Sequence, residues 1–115
     1  MKGVKIIRTS NWDAMTQFFR DRLGMREREQ ESKDSLHEFA DFGTEIHLER
    51  VNSPDEHELV GSLELYSSDP EGLATFLGEK RGLDVRRRFV DGKEEPYLFD
   101  PDGHMITFVK KSNQT

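Results

Sequence analysis

The chain has 115 residues, 33% of them apolar and 35% charged, which is the size and composition of one small domain with a modest core. A net charge of -6 argues against a general nucleic-acid binder, and the absence of cysteine excludes disulfides, thiolate metal ligands and thiol nucleophiles. No apolar run approaches the roughly 18 residues of a membrane span, and MKGVKIIRTS lacks the apolar centre of a signal peptide. A cytoplasmic protein without membrane contact is therefore the expectation.

The chain opens with a short strand, VKIIRT, followed by a helix. Ser10 or Asn11 can cap that helix, Met15, Phe18, Phe19 and Leu23 give it an apolar stripe, and Gly24 can end it in the left-handed conformation. Trp12 falls in its first turn, where packing beside the cap is the expected role. Three alternating segments follow: MREREQ, SLHEFADF and TEIHLER. The polar stretch RVNSPDEHEL then reads as a linker.

The same grammar returns. SLELYS is a strand, Ser68 or Asp69 caps a helix with Pro70 in its first turn, Leu73, Phe76 and Leu77 form the stripe, and Gly82 ends it. DVRRRFV, EEPYLFD and MITFVK are the following strands, and Asp91-Gly92 marks a hairpin turn. Arg86, Arg87 and Arg88 alternate between the two faces of their strand, so they form no single basic patch. Asp100, Pro101 and Gly103 specify a tight turn; Asp100 and Asp102 lack the further acidic ligands of a calcium loop.

Shifting the sequence by 58 positions places residues 8–25 on 66–83, with Ser10, Phe18 and Gly24 matching Ser68, Phe76 and Gly82. Shifting it by 60 places residues 39–49 on 99–109, with Phe39, Gly43 and Ile46 matching Phe99, Gly103 and Ile106. Two nearly equal offsets in the same order indicate an internal duplication. The expected architecture is α+β: a βαβββ module over residues 1–50, a linker over 51–60 and a second βαβββ module over 61–115. The linker can span about 30 Å, which permits pairing within one chain or domain-swapped pairing between two. A sheet with one helix has a face without a helix, and two such faces can enclose a small-molecule cavity.

Strand alternation puts Val4, Ile6 and Arg8 on that face, with Glu45, His47 and Glu49 beside them and Ser62, Glu64 and Tyr66 in the second module. The set is polar and mostly acidic. It reads either as a cup that orients a ligand or as a solvated sheet face with cross-strand ion pairs. His47 can serve as general base or hydrogen-bond partner, or as a metal ligand with Glu45, Glu49 or Glu64 as partners; otherwise it is a surface imidazole. His37, His57 and His104 are expected at the solvent-exposed surface.

The segments FFRDRLGM (18–25), FGTEIHLE (42–49) and YLFDPDGHMITF (97–108) resemble the glyoxalase / bleomycin-resistance / extradiol-dioxygenase superfamily, the vicinal oxygen chelate proteins. The resemblance covers almost the whole chain, although the closing turn has His104 where the family usually has Asn. It implies two paired modules and, in metal-dependent members, ligands in the first and last strands of each. Those positions fall on Val4 and His47, and on Ser62 and Thr107. Only His47 ligates a transition ion well. The resemblance therefore implies a small-molecule-binding homodimer without the family's metal site. Its candidate contacts are Arg8, Glu45, His47, Glu49, Ser62, Glu64, Tyr66 and Thr107, with His47 the candidate catalytic group and no cofactor expected. The alternatives are a divergent metal-dependent lyase, isomerase or dioxygenase using His47, and an interaction domain whose cup is filled by side chains.

Overall fold

The computed structural model describes residues 4–28, 35–57 and 61–111. The first module runs β1 (Val4–Thr9), α1 (Trp12–Gln17) continued by a wide π-helical turn (Phe18–Arg22), β2 (Leu36–Asp41) and β3 (Thr44–Arg50). A 3₁₀ turn (Pro54–Glu56) lies in the expected linker. The second module runs β4 (Leu63–Ser67), α2 (Pro70–Lys80), β5 (Arg86–Val90), β6 (Lys93–Phe99) and β7 (Met105–Lys110).

The strand orders are β1-β3-β2 and β4-β7-β6-β5. In both sheets the module's first strand lies parallel to its last, and the other pairings are antiparallel. The first sheet gains a fourth edge from residues 26–28. It holds one bridge, Glu27 to Phe39, with backbone bonds from Arg28 N to Glu38 O and from Ala40 N to Arg26 O. The MREREQ strand is therefore cut to a bridge, and its last two residues lie outside the described residues.

The two helices start differently. Asp69 caps α2 by accepting from Gly72 N at 3.0 Å. Asn11 makes no side-chain cap bond to α1; its own N–H donates to Thr9 Oγ1 at 2.9 Å. Both helices end at a left-handed glycine, Gly24 (φ +75°) and Gly82 (φ +68°). The two ends then exchange arginines. Arg22 donates to Gly82 O at 2.9 Å and to Arg81 O at 3.3 Å, while Arg81 donates to Asp21 O at 3.1 Å. Each guanidinium satisfies carbonyls that the other helix end leaves open.

Alternation selects the buried side of every strand but β5, which has no buried residue. Ile7, Phe39, Ile46 and Leu48 pack with Met15, Phe19 and Leu23 in the first module; Leu63, Leu65, Leu98 and Ile106 pack with Leu77 in the second. All of them join one apolar cluster. The modules also meet at reciprocal points. Tyr66 N in β4 donates to Phe42 O in the β2–β3 turn at 2.7 Å, and Asn11 after β1 donates to Asp102 in the β6–β7 turn at 3.4 Å. Each module thus sets its last hairpin turn against the far end of the other's first strand, as a duplicated unit paired about a pseudo-twofold axis does. Among the described residues no helix is long and apolar enough to cross a membrane.

Three histidines differ from expectation. His37 is buried, stacked on Trp12 at 4.7 Å between ring centroids, with Nδ1 in contact with Glu27. His104 is buried, and its Nδ1 lies 2.8 Å from Asp100 Oδ2 while Asp100 also accepts the His104 backbone N–H. His57 is half-buried and reaches back from the linker, its Nε2 accepting from Ser10 N at 2.7 Å and lying 2.8 Å from Ser10 Oγ. Each imidazole carries polar atoms that a turn or loop can satisfy locally, which offsets the desolvation that exposure would have avoided.

Candidate functional site

Both sheets leave one face without a helix. On the first, pairing aligns Val4 with Glu45, Ile6 with His47 and Arg8 with Glu49, while Glu38 lies opposite His47 from the other side. His47 Nε2 is 2.7 Å from Glu45 Oε2 and 3.9 Å from Glu38 Oε1. Arg28 reaches over from the edge and places Nη1 3.1 Å from Glu45 and 3.2 Å from Glu38. The hydrogen bond with His47 is the main cause holding the Glu45 carboxyl below its ordinary value of 4.5; partial burial opposes this, and the Arg28 charge adds to it. Ligand atoms of Glu38, Glu45 and His47 all lie within 4.8 Å of one another, a spacing that a divalent ion could bridge. The cation placed between the two carboxylates is the Arg28 guanidinium.

The equivalent face of the second sheet is aromatic and basic. Tyr97 and Phe99 alternate along β6 and meet edge to face at 5.7 Å. Arg86 lies over Phe99 at 5.9 Å and Arg88 over Tyr97 at 5.6 Å, each reaching diagonally from β5. Arg87 points to the other face and pairs with Glu71 of α2, so the three arginines divide as alternation requires. On the neighbouring strands Tyr66 donates to Glu64 at 2.8 Å. That bond to a carboxylate, reinforced by burial and by the Glu64 charge, raises the phenol above its ordinary value of 10.0.

The predicted residues separate into groups. Glu45 and His47 join a network, and Glu64 and Tyr66 form a pair. Arg8 binds Glu49 at 3.2 Å as an ion pair, half-exposed on both sides. Ser62 is exposed just before β4, and Thr107 Oγ1 lies 3.5 Å from Leu63 O. An open cavity of about 510 Å³ at the module junction is lined by Asp41, Thr44 and Glu45 from the first module and by Tyr66 and Lys111 from the second, with Arg26. It brings together only Glu45 and Tyr66 of the predicted set. Arg28 and Glu38 were missed, as were the cavity cations Arg26 and Lys111. A two-residue turn at Phe42-Gly43 would have paired position 38 with 47, so Glu38 was within reach of a register argument.

The positions to which the resemblance carries metal ligands do not fit a four-ligand site. Val4 is an exposed apolar side chain, Ser62 and Thr107 offer neutral hydroxyls, and only His47 is a strong donor.

No family model matches the sequence, and no curated protein matches it significantly. The fold does have close parallels. A glyoxalase / bleomycin resistance protein from Catenulispora acidiphila superposes with a TM-score of 0.71 at 16% identity, over 97% of this chain and 99% of that one. A bleomycin-binding protein from Streptomyces verticillus, complexed with copper(II)-bleomycin, gives 0.69 at 14% identity and 97% of each chain. A lactoylglutathione lyase from Agrobacterium tumefaciens gives 0.65 at 20% identity, over 93% of this chain and 90% of that one. The protein has the glyoxalase / bleomycin-resistance / dioxygenase fold, the vicinal oxygen chelate architecture of two βαβββ modules. One such fold carries a lyase and a drug-binding protein, so function has to be argued from the site.

Proposed function

We propose that the chain is a small-molecule-binding protein of the glyoxalase / bleomycin-resistance superfamily that works without the family's metal ion. The observation that carries this reading is Arg28. Its guanidinium occupies the place between Glu38 and Glu45 that a divalent ion would need, and supplies the positive charge those carboxylates require. The open faces, with an acidic network on one sheet and an edge-to-face ring pair on the other, offer polar anchors beside apolar area, as ligand cavities do. The drug-bound structural neighbour supports the same reading.

A homodimer belongs to this proposal. Val4 and Ile6 on the first open face are 46% and 45% exposed, apolar area that a second copy would cover. Light scattering tests it, and a monomer at micromolar concentration would refute it.

The Glu38–Glu45–His47 spacing favours a second reading, a metal-dependent lyase, isomerase or dioxygenase. Metal analysis of protein purified without chelator separates the two. Substoichiometric Zn, Fe, Ni and Mn, with a melting temperature unchanged by EDTA, is the expected result. Near-stoichiometric metal that His47→Ala removes would establish the enzyme reading. The interaction-domain reading requires a filled cup, and the 510 Å³ cavity at the junction counts against it.

A further inference from the structure

Resting on the proposal of a ligand-binding cup, we infer that the second module's open face selects flat aromatic acids. Two observations combine. The first is π surface: Phe99 stands 40% exposed, Tyr97 meets it edge to face at 5.7 Å, and the half-buried Met105 is paired with Phe99 across the sheet. A planar ring laid against this pair gains stacking and thioether contact that a saturated ring of equal size does not.

The second is charge. Arg88 is held over Tyr97 at 5.6 Å and, among the described residues, has no carboxylate within ion-pair distance. Its cross-strand neighbour Glu95 lies outside that distance, although the register sets the two directly opposite. Arg86 over Phe99 is already bonded to Asp84 at 3.0 Å, and Arg87 is spent on Glu71 and Glu94. Among the described residues Arg88 is therefore the guanidinium of this strand without a carboxylate partner, and it stands beside the rings, 5.6 Å from the Tyr97 centroid. A carboxylate attached to a stacked aromatic body meets that fork in the geometry arginine binds best. A cationic ligand would instead meet the charge of Arg88, which no described carboxylate offsets at ion-pair distance. Among the described residues the open-face arginines of the first module are paired, Arg28 with Glu38 and Glu45 and Arg8 with Glu49.

The test is titration of the full chain with three probes matched in size, 2-naphthoate, 2-naphthylmethylammonium and decahydro-2-naphthoate, followed by calorimetry and amide chemical shifts. The expected order has 2-naphthoate about tenfold or more tighter than either other probe, with shifts centred on β5 and β6. Arg88→Gln, at an exposed edge position, should weaken naphthoate about tenfold, and Phe99→Leu should erase its advantage over the saturated bicyclic acid. Equal binding of all three probes at the open faces, or an Arg88→Gln affinity equal to wild type, overturns the aromatic-acid selectivity and leaves the cup a ligand site. Probe binding that shifts neither open face, or no binding of any probe together with no melting-temperature rise from a wider metabolite panel, overturns both.

Discussion

The two open sheet faces hold equivalent places in a duplicated fold and differ in almost every side chain. In the first, the central strand carries an imidazole between two carboxylates, and an arginine from the edge closes the group. In the second, the corresponding strand carries Thr107, and the edge arginines Arg86 and Arg88 lie over aromatic rings, Arg86 with Asp84 as an acidic partner as well. The scaffold needs only that outward positions alternate with buried ones. It places no demand on what stands there, so after duplication the buried sides stay alike while the open sides diverge. The same contrast separates a face whose described arginines are paired with acids from one on which Arg88 has no described carboxylate at ion-pair distance.

The strongest way to break the comparison is to ask whether the halves are one folding unit. Phe39→Ala in the first core should cost about 3–5 kcal/mol and Leu98→Ala in the second about 2–5 kcal/mol, since each deletes a fully buried side chain. Because the cores form one cluster, urea unfolding of both variants should stay a single transition. Two transitions, only one of them moved by each variant, would show two independent modules.

A smaller effect sharpens the junction. The hairpins β2–β3 and β5–β6 turn at left-handed glycines, Gly43 (φ +69°) and Gly92 (φ +78°). Alanine at either incurs about 1–2 kcal/mol of backbone strain. At Gly92 nothing lies within 4 Å of the added Cβ, whereas at Gly43 the Tyr66 Cβ is 3.0 Å away. Gly43→Ala should therefore lower the melting temperature more than Gly92→Ala. Equal losses would mean that the modules do not press together at Tyr66. The linker clamp is weaker again: His57→Ala removes the acceptor for Ser10 and should cost about 0.5–1.5 kcal/mol by chemical denaturation.

Smallest are two pH effects with opposite signs. Glu45 is held below 4.5, so its stabilising contribution is complete above that pH and is lost as pH falls through the lowered value. Glu45→Gln should flatten the acid limb of a stability-against-pH curve. Tyr66 is raised above 10.0, so its contribution is complete below pH 10 and is lost as pH rises through the raised value. Tyr66→Phe should flatten the alkaline limb. An acid limb unchanged in the glutamine variant would remove Glu45 from the network that sets the first face apart.

Much of this was legible in the chain. Helix ends at Gly24 and Gly82, the turn at Asp91-Gly92 and the alternation of Val4, Ile6 and Arg8 depend on neighbours a few residues away, and local sterics decide them. The open faces were located for the same reason. Their chemistry was not. Arg28 joins Glu38 and Glu45 across two strands, and Arg88 reaches Tyr97 on a diagonal, so both depend on register and on the reach of a long side chain. The three histidines expected at the surface were misjudged because each finds a polar partner that composition does not reveal: Glu27 for His37, Ser10 for His57 and Asp100 for His104.

The sequence by itself determined the doubled βαβββ plan and which side of each strand is apolar, because periodicity and turn sterics act within a few residues. Only the tertiary structure decided which charges are closed against one another and which stay open. That outcome depends on distances of 3–4 Å between residues far apart in the chain, from the 3.1 Å contact of Arg28 with Glu45 to the 3.9 Å separation of His47 from Glu38. Coulomb and hydrogen-bond energies at such range are set by packing and not by sequence order.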